Sequence, residues 1–175
     1  LSLAWHSGPH RFKLGVFESR FSNYILLAAT GEPDFVDAGG DSFPVFAFQG
    51  VRARLHGLEV EGAWRAWAGE GNLDFDAKLD WVRASNRDSG QALPRQPPLR
   101  GTLGMSWQQG AWTARAEVQR ASAQRRVPST DEATAGWTLV NLSAGYTLNL
   151  GKQEALLFAK LQNVGNRLAY SATTT

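Results

Sequence analysis

Residues Leu73 to Arg83 read LDFDAKLDWVR: Leu73, Phe75, Ala77, Leu79 and Trp81 fall on one parity, and Asp74, Asp76, Lys78 and Asp80 on the other. Successive side chains of a β-strand leave on opposite faces, so an extended segment of this sequence has one apolar face and one densely charged face. Helical periodicity is poor throughout, and 18 glycines interrupt nearly every candidate helix. The chain is therefore expected to be all-β.

The same alternation recurs along the chain. Trp112, Ala114, Ala116 and Val118 oppose Thr113, Arg115, Glu117 and Gln119; Val140, Leu142, Ala144, Tyr146 and Leu148 oppose Asn141, Ser143, Thr147 and Asn149; Leu58, Val60 and Trp64 oppose Glu59, Glu61 and Arg65. Eight strands are predicted, over residues 1–7, 11–27, 44–67, 72–84, 98–108, 111–124, 137–150 and 154–163. Short glycine-bearing connections (8–10, 68–71, 109–110, 151–153) alternate strictly with long ones (28–43, 85–97, 125–136 and the tail after Val164). An up-and-down sheet puts all the tight turns on one edge and all the long loops on the other, the arrangement of outer-membrane barrels.

Aromatic placement points the same way. Trp5, Trp64, Trp67, Trp107, Trp112 and Tyr146 lie within a few residues of a short turn, whereas Trp81 and Trp137 lie beside long connections. Amphipathic rings at two levels are expected of a wall with two membrane interfaces. A lipocalin-like soluble barrel would bury the apolar face and wet the polar one. Against it, residues 44–67 make a strand far longer than the usual soluble mode of about 5 or 6 residues.

Composition bounds the function. Eighteen Lys plus Arg against 16 Asp plus Glu give a net charge of +2, too balanced and too scattered for a nucleic-acid partner. The absence of cysteine removes disulfides, thiolate metal sites and cysteine nucleophiles together. No apolar run approaches the roughly 18 residues of a transmembrane helix, yet barrel strands need only about 9 to 11 residues. Because half of a barrel strand faces the lumen, a mean hydropathy of −0.30 is compatible with such a wall. The first ten residues contain no signal-peptide pattern.

Candidate sites divide between strands and loops. Glu59, Glu61, Asp74, Asp76, Lys78, Asp80, Arg115 and Glu117 are expected to line a wet lumen and to pair across strands, since like charges facing each other are unfavourable. The i, i+2 spacing of Asp74, Asp76 and Asp80 reflects the pleat and is not read as an acid-base cluster. Asp34, Asp37 and Asp41 in the first long loop and the Arg125-Arg126 pair are candidates for ligand capture, because long loops carry function more often than strands do, and His56, on a strand beside Arg52 and Arg54, is a candidate for meeting an entering ligand above the membrane. The histidines show no metal-ligand spacing, and no serine or threonine sits in a nucleophile pattern. No catalytic constellation is present, so an enzyme is not expected and no cofactor is implied.

FSNYILL (from Phe21), HGLEVEGAW (from His56), LPRQPPLRGTLGMSW (from Leu93), GWTLVNLSAGY (from Gly136) and LQNVGNRLAY (from Leu161) follow in an order and spacing that resemble the carboxy-terminal barrel of TonB-dependent outer-membrane receptors. PVFAFQGVRARLHGLEVEG is similar to a zinc-uptake branch, although this chain lacks a histidine-rich run. The resemblance implies an antiparallel up-and-down transmembrane β-barrel segment, about eight strands of a barrel of about 22. Residues 1–175 are then expected to be one barrel portion without plug, energy-coupling box or final strand. The implied activity is uptake of a scarce metal or metal chelate (siderophore, haem or zinc) across the outer membrane of a Gram-negative bacterium. The implied partners are membrane lipid, the small ligand, and the TonB complex through the missing amino-terminal part. A complete eight-stranded barrel with a structural or adhesive role is the alternative from another class.

Overall fold

The computed structural model describes residues 1–129 and 131–173; Thr130 in the third long connection, and Thr174 and Thr175 of the closing SATTT, lie outside the described residues. The strands are β1 (Ser2–Ser7), β2 (His10–Ala29), β3 (Phe35–Val36), β4 (Ser42–Phe43), β5 (Phe46–Ala68), β6 (Gly71–Asn86), β7 (Arg100–Gln109), β8 (Trp112–Ala121), β9 (Trp137–Asn149) and β10 (Glu154–Leu161). All eight predicted strands form one sheet in the order β1-β2-β5-β6-β7-β8-β9-β10, each antiparallel to its neighbours. The hairpin β3–β4 stands apart inside the first long connection. Because β1 and β10 do not pair with each other, the sheet is open, which removes the reading of these eight strands as a complete small barrel.

Strand ends shift for local reasons. β7 starts at Arg100 and not at Pro98, since proline lacks the N–H a ladder needs. β8 stops at Ala121 because the chain then pairs within its own connection, Gln124 with Thr134. Two-residue turns join β1 to β2, β5 to β6 and β7 to β8 along one edge, and a four-residue turn over 150–153 joins β9 to β10. Gly8 (φ +56°) and Gly110 (φ +53°) occupy the first central position of theirs, where the turn that matches strand twist demands a positive φ.

The apolar face is continuous. The register places Trp5, Phe12, Trp64, Phe75, Met105, Leu103, Val118, Leu142 and Leu157 on one side of the sheet. Most of these side chains are exposed, and the only large side chain fully buried among the described residues is Leu93. A water-soluble sheet would have to cover such a face, because soluble proteins rarely expose contiguous apolar patches beyond a few hundred Å². At its tight-turn end the face carries aromatic rings: Trp64 stacks on Phe75 (centroids 6.1 Å apart) and Trp112 leans on Tyr146 (4.5 Å).

Two bulges alter what alternation alone predicts. Between Arg65 and Trp67 the register shifts by one residue, so Trp67 opposes Leu73 and joins Trp64 on the apolar face. Without that bulge, two tryptophans three residues apart would point to opposite faces. Between Phe21 and Tyr24 a second shift turns Tyr24 and Leu26 inward, where they pack with Leu55 against Ala53, Ala84 and Leu93.

The polarity of the two faces also reverses at one level. In β2, β5 and β6 the apolar side runs to Val16, Leu58 and Trp81; the next outward residues are Glu18, His56 and Arg83, while Phe17, Leu55, Val82 and Ala84 turn inward. Residues 87–99 fold back over this inward apolar surface, with Leu93 N–H donating to the Ala84 carbonyl at 3.3 Å. Burying Leu93 there contributes about 1.5–3 kcal/mol. On β6 the apolar run Leu73 to Trp81 spans nine residues, the length a tilted membrane strand needs. Trp137 departs from its expected place: it shares the parity of Asn141 and Ser143, turns to the polar side, and donates Nε1–H to the Tyr170 carbonyl at 3.1 Å. Only Trp81 of that pair stands on the apolar face, its ring edge-on to His56 at 5.6 Å.

Candidate functional site

The register gathers all eight predicted lumen residues on the polar face. Asp74 accepts two hydrogen bonds from Arg65 (2.7 and 2.9 Å), Lys78 lies 4.0 Å from Glu61, and Arg100 Nε donates to Asp80 at 2.9 Å. Glu59 departs from the expected pairing: it lies opposite a like charge, Asp80, on one side and Gly15 on the other, and Arg100 is what neutralises Asp80 there. Arg65, which alternation already places beside Glu59 and Glu61, and Arg100, which it does not single out, are therefore members of the set, each standing directly opposite the aspartate it meets.

Arg115 is the hub of the largest network. Its Nη1 donates to Asp76 (2.5 Å) and Ser106 (2.9 Å), and its Nη2 to Asp76 (3.0 Å) and Glu117 (2.9 Å). Glu117 also accepts from Gln119 Nε2 (2.7 Å) and Asn141 Nδ2 (3.3 Å), and Asn141 Oδ1 accepts the Asn163 N–H (3.0 Å). Side chains thus tie β6, β7, β8, β9 and the tail together across the ladder direction. Gly104 makes this possible. It lies between Asp76 and Glu117 in register, and a Cβ there would come within 2.6 Å of both Asp76 carboxylate oxygens, in the space the Arg115 guanidinium uses. Charge-assisted bidentate bonds of this kind are the strong ones, and they fix the polar face as a rigid surface of alternating charge.

At the opposite edge from the tight turns, three long connections enclose a cleft of about 440 Å³. Arg95 and Gln96 line it from residues 87–99, Gln124, Asp131 and Glu132 from residues 122–136, and Tyr170 from the tail. Arg95 holds a left-handed φ of +56°, a conformation that non-glycine residues adopt uncommonly and that clusters at ligand sites. A cleft with one guanidinium, carboxylates, amides and a phenol suits a polar or charged small ligand.

The ligand-capture candidates disperse. Asp37 Oδ1 accepts the N–H groups of Gly39 (2.8 Å) and Asp41 (3.0 Å), and Asp34 accepts the Ser42 hydroxyl (2.9 Å), so the carboxylates of Asp34 and Asp37 organise the β3–β4 turn, to which Asp41 contributes its backbone. Arg126 donates to the Ala84 carbonyl (2.6 Å) and the Ser85 hydroxyl (2.8 Å), pinning the third connection to β6; burial, and then the charge of Arg83, lower its pKa. Arg125 is exposed. His56 is placed on the outward face, away from the cleft, with its Nδ1 buried and without a hydrogen-bond partner. No three His, Cys, Asp or Glu side chains among the described residues are grouped to hold a metal ion. Arg95 and Tyr170 fall in stretches that carry the family resemblance, but nothing in the sequence joined them to Asp131 and Glu132, since only folding brings the three connections together.

Comparison with curated proteins by sequence gives no match. Among solved structures, one described as "Copper transporter OprC" superposes over 98% of this chain with a TM-score of 0.81 at 18% identity. The chain spans about a quarter of that structure's length, 26%, so the likeness is one of fold. The family model for the TonB dependent receptor-like β-barrel matches residues 1–164, in agreement with the open antiparallel meander, and the chain belongs to that family.

Proposed function

We propose that this chain forms part of the barrel wall of an energy-coupled importer in the outer membrane of a Gram-negative bacterium, with no covalent step of its own. The observation that carries this reading is the sheet's division into a lipid-compatible face ringed by tryptophans and a polar face cross-linked by ion pairs. Lipid takes the place of a soluble core on the first face, and water and ligand meet the second. A soluble ligand-binding barrel would instead enclose the apolar face.

The cargo is a scarce metal or metal chelate, and siderophore, haem and zinc are the classes to separate. The cleft between the long connections is the capture surface, with Arg95 and Glu132 offering charges of both signs. Energy coupling is assigned to TonB acting through a segment outside this stretch. The test is growth of a strain lacking the complete receptor, under limitation for zinc, for copper and for iron supplied as siderophore or haem. Loss of growth on one of these, restored by the wild-type gene only when the energy-coupling complex is intact, is expected. Growth indistinguishable from the parent under every limitation would remove the uptake reading.

A further inference from the structure

Immediately past the apolar belt, the outward face of the long strands becomes cationic. The belt closes with Val16, Leu58 and Trp81; the next rung carries Glu18, His56 and Arg83, and the one after it Arg20, Arg54 and Ser85. Arg20 and Arg54 stand directly opposite each other, a like-charge placement that is unfavourable in a sheet unless an anion relieves it. Glu18 relieves it in part, accepting from Arg20 Nε at 2.5 Å and from Arg54 Nη2 at 2.7 Å.

Three guanidinium groups against one carboxylate leave an excess of two positive charges on these rungs, and Arg83 has no ion pair among the described residues. The next arginine up, Arg52, is matched by Asp88. The Arg20 and Arg54 side chains remain 70% and 44% exposed. Below them Leu58 and Trp81 make an apolar floor continuous with the belt.

We propose that Arg20, Arg54 and Arg83 bind the phosphate groups of membrane lipid headgroups on the long-connection side of the barrel. The charge complementarity is direct, because guanidinium forks match phosphate oxygens. Continuity with the belt selects a lipid over a free anion: a phosphate held here places its attached chains against Leu58 and Trp81, whereas a dissolved ion gains only the charge. Basic residues at a membrane surface attract anionic lipid, whereas a like-charge pair aimed into solvent gains nothing.

This inference rests on the barrel reading, and its test separates the two. The complete receptor is reconstituted in phosphatidylcholine nanodiscs with and without phosphatidate, and retained lipid is counted by native mass spectrometry. Preferential retention of phosphatidate is expected. R54Q/R83Q should weaken it roughly 25-fold, about fivefold for each arginine, and R54K/R83K should keep most of it. R83Q alone, which removes no ion pair seen here, should lose about fivefold and guards against misfolding of the double variant. Unchanged retention in R83Q and R54Q/R83Q, or displacement of phosphatidate by an equal concentration of inorganic phosphate, overturns the site while leaving the barrel reading intact. Failure to insert into either bilayer overturns both.

Discussion

Arg115 offers a direct test of the polar face. Replacing it with Met keeps most of the aliphatic volume but removes all four charge-assisted hydrogen bonds to Asp76, Ser106 and Glu117. It also leaves Asp76 and Glu117 facing each other across Gly104 with no cation between them. Each carboxylate sits within 3.0 Å of the guanidinium, so the two charges lie on the order of 6 Å apart, which corresponds to roughly 0.7 to 3 kcal/mol of repulsion for effective dielectrics of about 80 to 20. The Arg115, Asp76 and Glu117 side chains are 34%, 26% and 22% exposed, so neither the fully solvated nor the fully buried limit applies. A loss of about 2 kcal/mol follows, above the 0.2–1 kcal/mol typical of an exposed pair. The assay is reversible urea unfolding of the complete receptor in lipid vesicles, followed by tryptophan fluorescence, with R115M, D76N and the double variant closing a cycle. The double variant should recover part of the loss, with a coupling energy above about 1 kcal/mol. A coupling below about 0.3 kcal/mol would show that the network is ornamental and refute the argument.

Gly104→Val intrudes on the same guanidinium and should cost about as much as R115M in that unfolding assay; a neutral outcome would contradict the close approach seen here. Leu103→Arg places a charge on the exposed apolar face and should destabilise the membrane-inserted state by roughly 2–4 kcal/mol, whereas Gln119→Arg on the polar face should be tolerated. Asp88 accepts the Arg52 backbone N–H at 2.7 Å, and that bond and the Arg52 side chain hold its pKa below the ordinary 3.8. Its contribution to holding the β6 turn is therefore fully present above about pH 4 and is lost as the pH falls through the depressed value. The protection factor of the Arg52 amide, its exchange rate corrected for the intrinsic pH dependence, should fall in that window in the wild type, and Asp88→Asn should abolish that change.

Much of the polar face was legible early. Asp74, Asp76, Lys78, Asp80, Arg115 and Glu117 could be assigned to one side because period-two alternation is local, needing no knowledge of distant chain. The partner of each charge was not legible. Asp74 meets Arg65 and Asp80 meets Arg100 through pairing registers set by turn geometry and by a bulge. His56 had the right neighbourhood in sequence for ligand capture, yet the reversal of polarity near Gly57 placed it on the outward face. The cleft around Arg95 was invisible for a stronger reason: its walls come from segments up to about 75 residues apart, and no local pattern marks residues that meet only after closure of long loops.

The sequence by itself determined that the chain is a meander of long strands with an apolar and a charged face, tight turns on one edge and long connections on the other. These properties follow from side-chain alternation and from glycine at the turns, both written into short stretches such as LDFDAKLDWVR. The tertiary structure alone decided that Trp67 joins the aromatic ring while Trp137 turns inward, that the two faces exchange polarity beyond Trp81, and that Arg20 confronts Arg54. The physical reason is register: one extra residue at a bulge reverses every side chain beyond it, and where strands outrun the membrane, solvent replaces lipid as the medium each face must suit.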